Sequence, residues 1–215
     1  TDRSGVANSA YSFSNNDKWI EATQPNEMKT LANYSASAWV KITGEPFVSR
    51  IISNEGPDYS GNRGMRLIAS RTGVGSGRSN FSFGSGWGGG GDKAASASDY
   101  ANGVWYHLVG TYDGSNYKIY VDGVLKDTEA AVGETLSSNH GVHNKLNISL
   151  FQGNINPPHR TGNITGDIDE VRVYNRALNS TEVSQLYNSE AVTGTKKWDV
   201  TTGGDMASSP AVGSD

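Results

Sequence analysis

The densest group of chemistry-bearing side chains is Asp167, Asp169 and Glu170, in the run GDIDEV. Three kinds of chemistry fit carboxylates so spaced. Hard oxygen ligands suit calcium, and a bulged strand adds spare backbone carbonyls to them. Two carboxylates about 5 Å apart across a sugar perform retaining glycoside hydrolysis. Acids at a strand edge also simply solvate the surface or pair with a neighbour, here Arg172. His140 and His143 share a spacing that a metal uses on a helix, but Gly141 and the flanking Asn residues read as loop and set them aside. The chain has no G-x-S-x-G nucleophile motif and no G-x-x-x-x-G-K phosphate loop.

The other residues able to act are aromatic or basic and fall on predicted loops. Tyr59 lies in NEGPDYSGNR (54–63) and Trp87 in GSGWGGGG (84–91), a run with no conformation of its own. His159 and Arg160 lie in the long segment QGNINPPHRTGNIT (152–165). Loops over a rigid scaffold are where binding usually resides. Trp87 is either a binding edge or a lid tucked over the core.

The elements that position these residues read as strands. Tyr34, Ala36, Ala38, Val40 and Ile42 alternate with Ser35, Ser37, Trp39 and Lys41, which predicts a strand with Trp39 on the polar face. There Trp39 is either a sugar-stacking platform or a ring covered by a neighbouring loop. Further strands are predicted at 7–13, 18–22, 47–53, 64–70, 80–84, 104–112, 116–121 (a hairpin through Asp113-Gly114-Ser115), from 125, and at 146–150. Residues 71–103 are the least regular third. Val171 and Val173 alternate with Arg172 and Tyr174, and Ile168 is out of phase with them, which predicts a β-bulge near Asp169 and Glu170. A helix follows. Asn179 caps it, Glu182 completes a capping box, and Leu178 staples onto Val183.

Composition agrees with an all-β chain. Glycine accounts for 27 of 215 residues and hydrophobic residues for 35%. The net charge of −4, without a basic block, argues against nucleic acid as a partner. No apolar run approaches the ~20 residues of a membrane span. Cysteine is absent, so no disulfide or thiol chemistry is available. Asn33, Asn147 and Asn163 open N-x-S/T triplets, which count only in a eukaryotic secreted context.

Two blocks carry a resemblance: GDIDEVRVYNRAL with its following helix, and WYHLVGTYDGSNYKIYVDG (105–123). With the weaker YSASAWVKI (34–42), they are similar to laminin G-like jelly-roll domains of the concanavalin A-like lectin/glucanase superfamily, over residues 5 to 190. The resemblance implies a two-sheet antiparallel β-sandwich with one short C-terminal helix. It implies a non-catalytic, extracellular or cell-surface module that recognises carbohydrate or a matrix component. It also implies a structural calcium ion held by Asp169 with Asp17 or Asn16. The related glucanases carry Glu-hydrophobic-Asp-x-Glu. Here Glu170 is adjacent to Asp169 rather than alternate to it, which speaks against catalysis. The expected ligand-binding residues are Trp87, Tyr59, His159 and Arg160, with Trp39 behind them. The alternative is a structural or adhesion module without a sugar ligand. Residues 191–215, with WDVTTGG and SSPAVGSD, resemble the opening of a pyrroloquinoline-quinone-type β-propeller repeat. The expected organisation is therefore a monomeric module (1–190) in a multidomain chain, with 191–215 as linker and propeller start or as a disordered tail.

Overall fold

The computed structural model describes residues 2–3, 5–6, 9–14, 19–23, 31–46, 48–54, 64–85, 93–132, 145–149, 151–152, 160–161, 163–193 and 211–212. In chain order the strands are β1 (Tyr11–Phe13), β2 (Ile20–Thr23), β3 (Tyr34–Ile42), β4 (Ser49–Ser53), β5 (Met65–Arg71), β6 (Arg78–Ser85), β7 (Lys93–Ala101) and β8 (Trp105–Tyr112). They continue with β9 (Asn116–Val121), β10 (Val124–Ala130), β11 (Lys145–Ile148), β12 (Phe151–Gln152), β13 (Arg160–Thr161) and β14 (Gly166–Tyr174). Helix α1 (Ser180–Thr193) and a short β15 (Ala211–Val212) complete the chain.

Two sheets face each other. One runs β1-β14-β3-β8-β9-β10, and the other β2-β11-β4-β5-β6-β7. β12 and β13 form a separate hairpin. Apart from the parallel pairing of β15 with Arg172 and Val173 of β14, the ladders are antiparallel. This is the expected jelly-roll sandwich. No helix among the described residues is long and apolar enough to cross a membrane.

The alternation expected for β3 is the packing observed. Tyr34, Ala36, Ala38, Val40 and Ile42 all enter the core between the sheets. The Tyr34, Phe83, Tyr112 and Tyr117 rings cluster at one end of that core. There the Tyr34 and Tyr117 hydroxyls share a hydrogen bond (3.0 Å), and the Tyr112 hydroxyl donates to the Ala131 carbonyl (2.7 Å). Gly110 allows the Phe83 ring to reach the β8 backbone, and a Cβ there would overlap the ring.

Sequence pattern missed β7. Its alternating Ala and Ser offer little hydrophobic contrast, yet Ala95 and Ala97 are buried because small side chains suffice where β6 and β9 crowd it.

The bulge lies where expected. The β14–β3 register slips between Asp169 and Arg172, and Glu170 takes φ +49°. The slip lets Ile168 and Val173 both face the core. The capping box also forms: the Asn179 side-chain oxygen accepts from the Glu182 amide (3.0 Å), and the Glu182 carboxylate accepts from the Asn179 amide (2.8 Å).

Candidate functional site

β-Strand alternation fixes which side chains share the outer face of the first sheet. Across β14, β3 and β8 the register gives rows Tyr174–Ser35–Thr111, Arg172–Ser37–Val109, Asp169–Trp39–His107 and Asp167–Lys41–Trp105. The helix covers the upper rows, where Leu178 and Val183 bury Val109 and Tyr120 in a second, smaller core. Ser35 anchors the start of this cover: its hydroxyl donates to the Arg176 carbonyl and accepts from the Leu178 amide, each at 2.9 Å.

Trp39 belongs to the covered region. It is 6% exposed, stacks on Tyr187 of α1 (5.8 Å between centroids), meets His107 at 5.2 Å and carries the Arg3 guanidinium 4.8 Å above its ring. That is the covered-ring alternative, with Arg3 and the helix as the cover. A sugar cannot stack on Trp39 in this arrangement. His107, fully buried beside it, has its pKa pushed down to about 3 by burial, with Arg172 and Arg3 acting in the same direction.

Asp169 receives Arg3 rather than a visible cluster of acids. Arg3 donates to one carboxylate oxygen (3.3 Å) and the Glu170 amide to the other (2.8 Å). Burial nonetheless pushes the Asp169 carboxyl up to about 6, and the charges of Glu170 and Asp2 add to that shift. Asp2 organises its own loop, accepting from the Val6 amide (2.8 Å) and the Ser9 hydroxyl (2.7 Å). Glu170 pairs with Arg172 at 2.6 Å. Among the described residues no three His, Cys, Asp or Glu side chains gather as a metal site. Asn16 and Asp17, the expected calcium partners, lie outside the described residues.

Tyr59, Trp87 and His159 also lie outside the described residues, as do His140 and His143, and Arg160 is described by its backbone alone. The strands that carry their loops are well defined. The neck of the Tyr59 segment is Ser53, Asn54 and Met65, where the Asn54 amide donates to the Met65 carbonyl (3.1 Å) and the Asn54 side chain accepts from the Met65 amide (2.6 Å). The neck of the Trp87 segment is Ser85 paired with Lys93. Met65 pairs with Ser85, so the two necks are neighbours at one end of the second sheet. β11 carries the chain away from that end before the β12–β13 hairpin that bears Arg160. The topology thus makes the necks of the Tyr59 and Trp87 segments neighbours and sets the β12–β13 pair apart from them.

The row Asp167–Lys41–Trp105 was not singled out as a row in the sequence, and its side chains are partly exposed. Lys41 donates to Asp167 (3.2 Å), and its ammonium lies 5.9 Å from the centre of the half-buried Trp105 ring. Alternation alone would have placed Lys41 outward, but its neighbours follow only from the cross-strand register.

Solved structures of low sequence identity share this fold. A heptameric SAP-like pentraxin from Limulus polyphemus matches with a TM-score of 0.60 and 16% identity, over 83% of this chain and 80% of that one. Domain 4 of AbnA, a GH43 extracellular arabinanase from Geobacillus stearothermophilus in complex with arabinotriose, matches at 0.54 with 20% identity, over 83% and 76%. The Ruminococcus gnavus IT-sialidase CBM40 bound to α2,3-sialyllactose matches at 0.55 with 15% identity, over 73% and 83%. The chain spans 46% and 42% of two further matched chains. No curated protein matches it by sequence. The family model Laminin_G_3, described as concanavalin A-like lectin/glucanases superfamily, matches residues 14–184. The chain therefore belongs to the concanavalin A-like lectin/glucanase superfamily.

Proposed function

We propose that this chain is a non-catalytic carbohydrate-binding module of a larger extracellular protein. The observation that supports the proposal is the adjacency of the two loop necks, because the segments that hold Tyr59 and Trp87 both start and finish at one end of one sheet. Aromatic rings offer flat apolar faces to sugar C–H groups, while the Asn and Asp residues of the same loops supply hydrogen bonds. The arabinotriose and sialyllactose complexes of fold neighbours support sugar as the ligand class. Within the same proposal, residues 191–215 lead into a following domain.

A calcium ion is part of the proposal. Burial, with the charges of Glu170 and Asp2, raises the Asp169 pKa, and a divalent cation bound at Asp169 would favour its ionised form. Asp169 would hold the ion with Asn16 or Asp17, and Arg3 would yield its contact. The chemistry the ion would supply is loop order and charge balance.

The test is a glycan array probed with the wild type and with Tyr59→Ala and Trp87→Ala. Loss of the wild-type hits in both variants supports the site, and retention of all hits in both refutes it.

A further inference from the structure

We infer that the outer face of the first sheet holds a second sugar subsite, built on Trp105, Lys41 and Asp167. It deepens the carbohydrate-binding reading and shares its ligand class, but it lies on the other sheet from the Tyr59 and Trp87 loop necks. The row crosses adjacent strands and continues onto β1, where Ser12 pairs with Asp167. Strands lie about 4.8 Å apart, so the row from Ser12 to Trp105 extends roughly 14 Å, long enough for several sugar units.

Three features make the row a binding surface. The first is that, among the described residues, Arg3 and Tyr187 meet the rings of the neighbouring row and not Trp105. Trp39 and His107 are covered by Arg3 and Tyr187, whereas Trp105 is half-buried and Lys41 is its ring partner among the described residues. Ser12 is exposed. The second is that the chemistry matches a sugar. The indole offers an apolar face with an N–H donor, the Asp167 carboxylate accepts from hydroxyl pairs, and the ammonium and hydroxyl of Lys41 and Ser12 complete the polar set.

The third feature is rigidity. The backbone at this end of the sandwich is tied down, since Thr43 and Gly44 donate to the Thr165 carbonyl (2.9 and 3.1 Å). Asn102 spans Gly44 and Ser79 (2.8 and 2.7 Å), and Gly103 donates to the Ile42 carbonyl (2.6 Å). A site fixed in this way binds with little ordering cost.

Charge selects the occupant. Lys41 and Asp167 neutralise each other at 3.2 Å, with side chains 27% and 16% exposed. A carboxylated or sulfated sugar finds no net positive charge here and meets the Asp167 carboxylate, so the ligand is a neutral oligosaccharide.

The experiment follows the tryptophan indole N–H signals of the full 215-residue chain by nuclear magnetic resonance, during titration with millimolar cellotriose, mannotriose, galactotriose and xylotriose, and separately with α2,3-sialyllactose. Trp105→Phe assigns the Trp105 signal. Should that variant not fold, Lys41→Gln assigns it as the indole signal displaced by loss of the neighbouring ammonium. The expected result is a saturable shift of the Trp105 signal with at least one neutral trisaccharide, absent with sialyllactose and weakened at least tenfold in Asp167→Ala. A Trp105 signal unmoved by every neutral trisaccharide, or moved only by sialyllactose, overturns the inference. The Trp87 signal reads the loop site separately. Trp87 moving without Trp105 would sink the second subsite and leave the proposed function standing, and Trp105 moving without Trp87 would do the reverse for the loop site.

Discussion

His107 should contribute an acid-sensitive share of the stability that one substitution abolishes. The imidazole is fully buried against Trp39 and Tyr187, and its pKa falls from an ordinary 6.5 to about 3 because burial penalises the charged ring, with Arg172 and Arg3 adding repulsion. Between those two values the unfolded chain binds a proton that the folded chain does not. The stabilisation is therefore complete above pH 6.5 and lost as pH falls towards 3. At roughly 1.4 kcal/mol per pH unit, the loss by pH 4 is about 3 kcal/mol, a large share of the ~5–15 kcal/mol stability of a typical domain. His107→Phe keeps an aromatic ring and removes the proton. Urea unfolding of both proteins at pH 7 and pH 4 measures the difference, each protein being compared with itself so that any packing change at pH 7 drops out. The variant should lose about 3 kcal/mol less than the wild type over that interval. Equal losses would refute the buried neutral imidazole.

Three further predictions concern the supports of the outer face. Asn179→Ala removes the cap of α1 and should cost about 1 kcal/mol in urea unfolding at neutral pH. Ser35→Ala leaves the Leu178 amide without its acceptor and should cost about 1–3 kcal/mol by the same measurement. If calcium binds at Asp169, a calcium concentration of about 100 times its dissociation constant should add about 2.7 kcal/mol of stability relative to a chelator, with the gain lost in Asp169→Asn.

Where interactions are local in the chain, sequence pattern was enough to read them. The Asn179–Glu182 box spans three residues, and the bulge at Asp169 and Glu170 follows from one break in alternation. The two faces of β3 were equally plain, because bulky and polar side chains alternate there. What pattern could not give was the partner of each face. The outward direction of Trp39 was legible, but its cover comes from Arg3 near one end of the chain and Tyr187 near the other. Lys41 meets Trp105 only through the β3–β8 register, so this row was invisible until the strands were paired. β7 escaped because Ala and Ser carry too little contrast to signal burial. The Tyr59 and Trp87 loops were recognised by composition, while the adjacency of their necks is a property of the β5–β6 ladder.

The most direct measurement is binding of the wild-type chain to a broad glycan and polysaccharide array in calcium, with a chelator control on every hit. A carbohydrate-binding module gives saturable binding to a defined set of glycans, and loss of those hits in chelator adds a calcium requirement. Absence of binding to any glycan in calcium would contradict carbohydrate recognition and leave an adhesion or spacer module in its place.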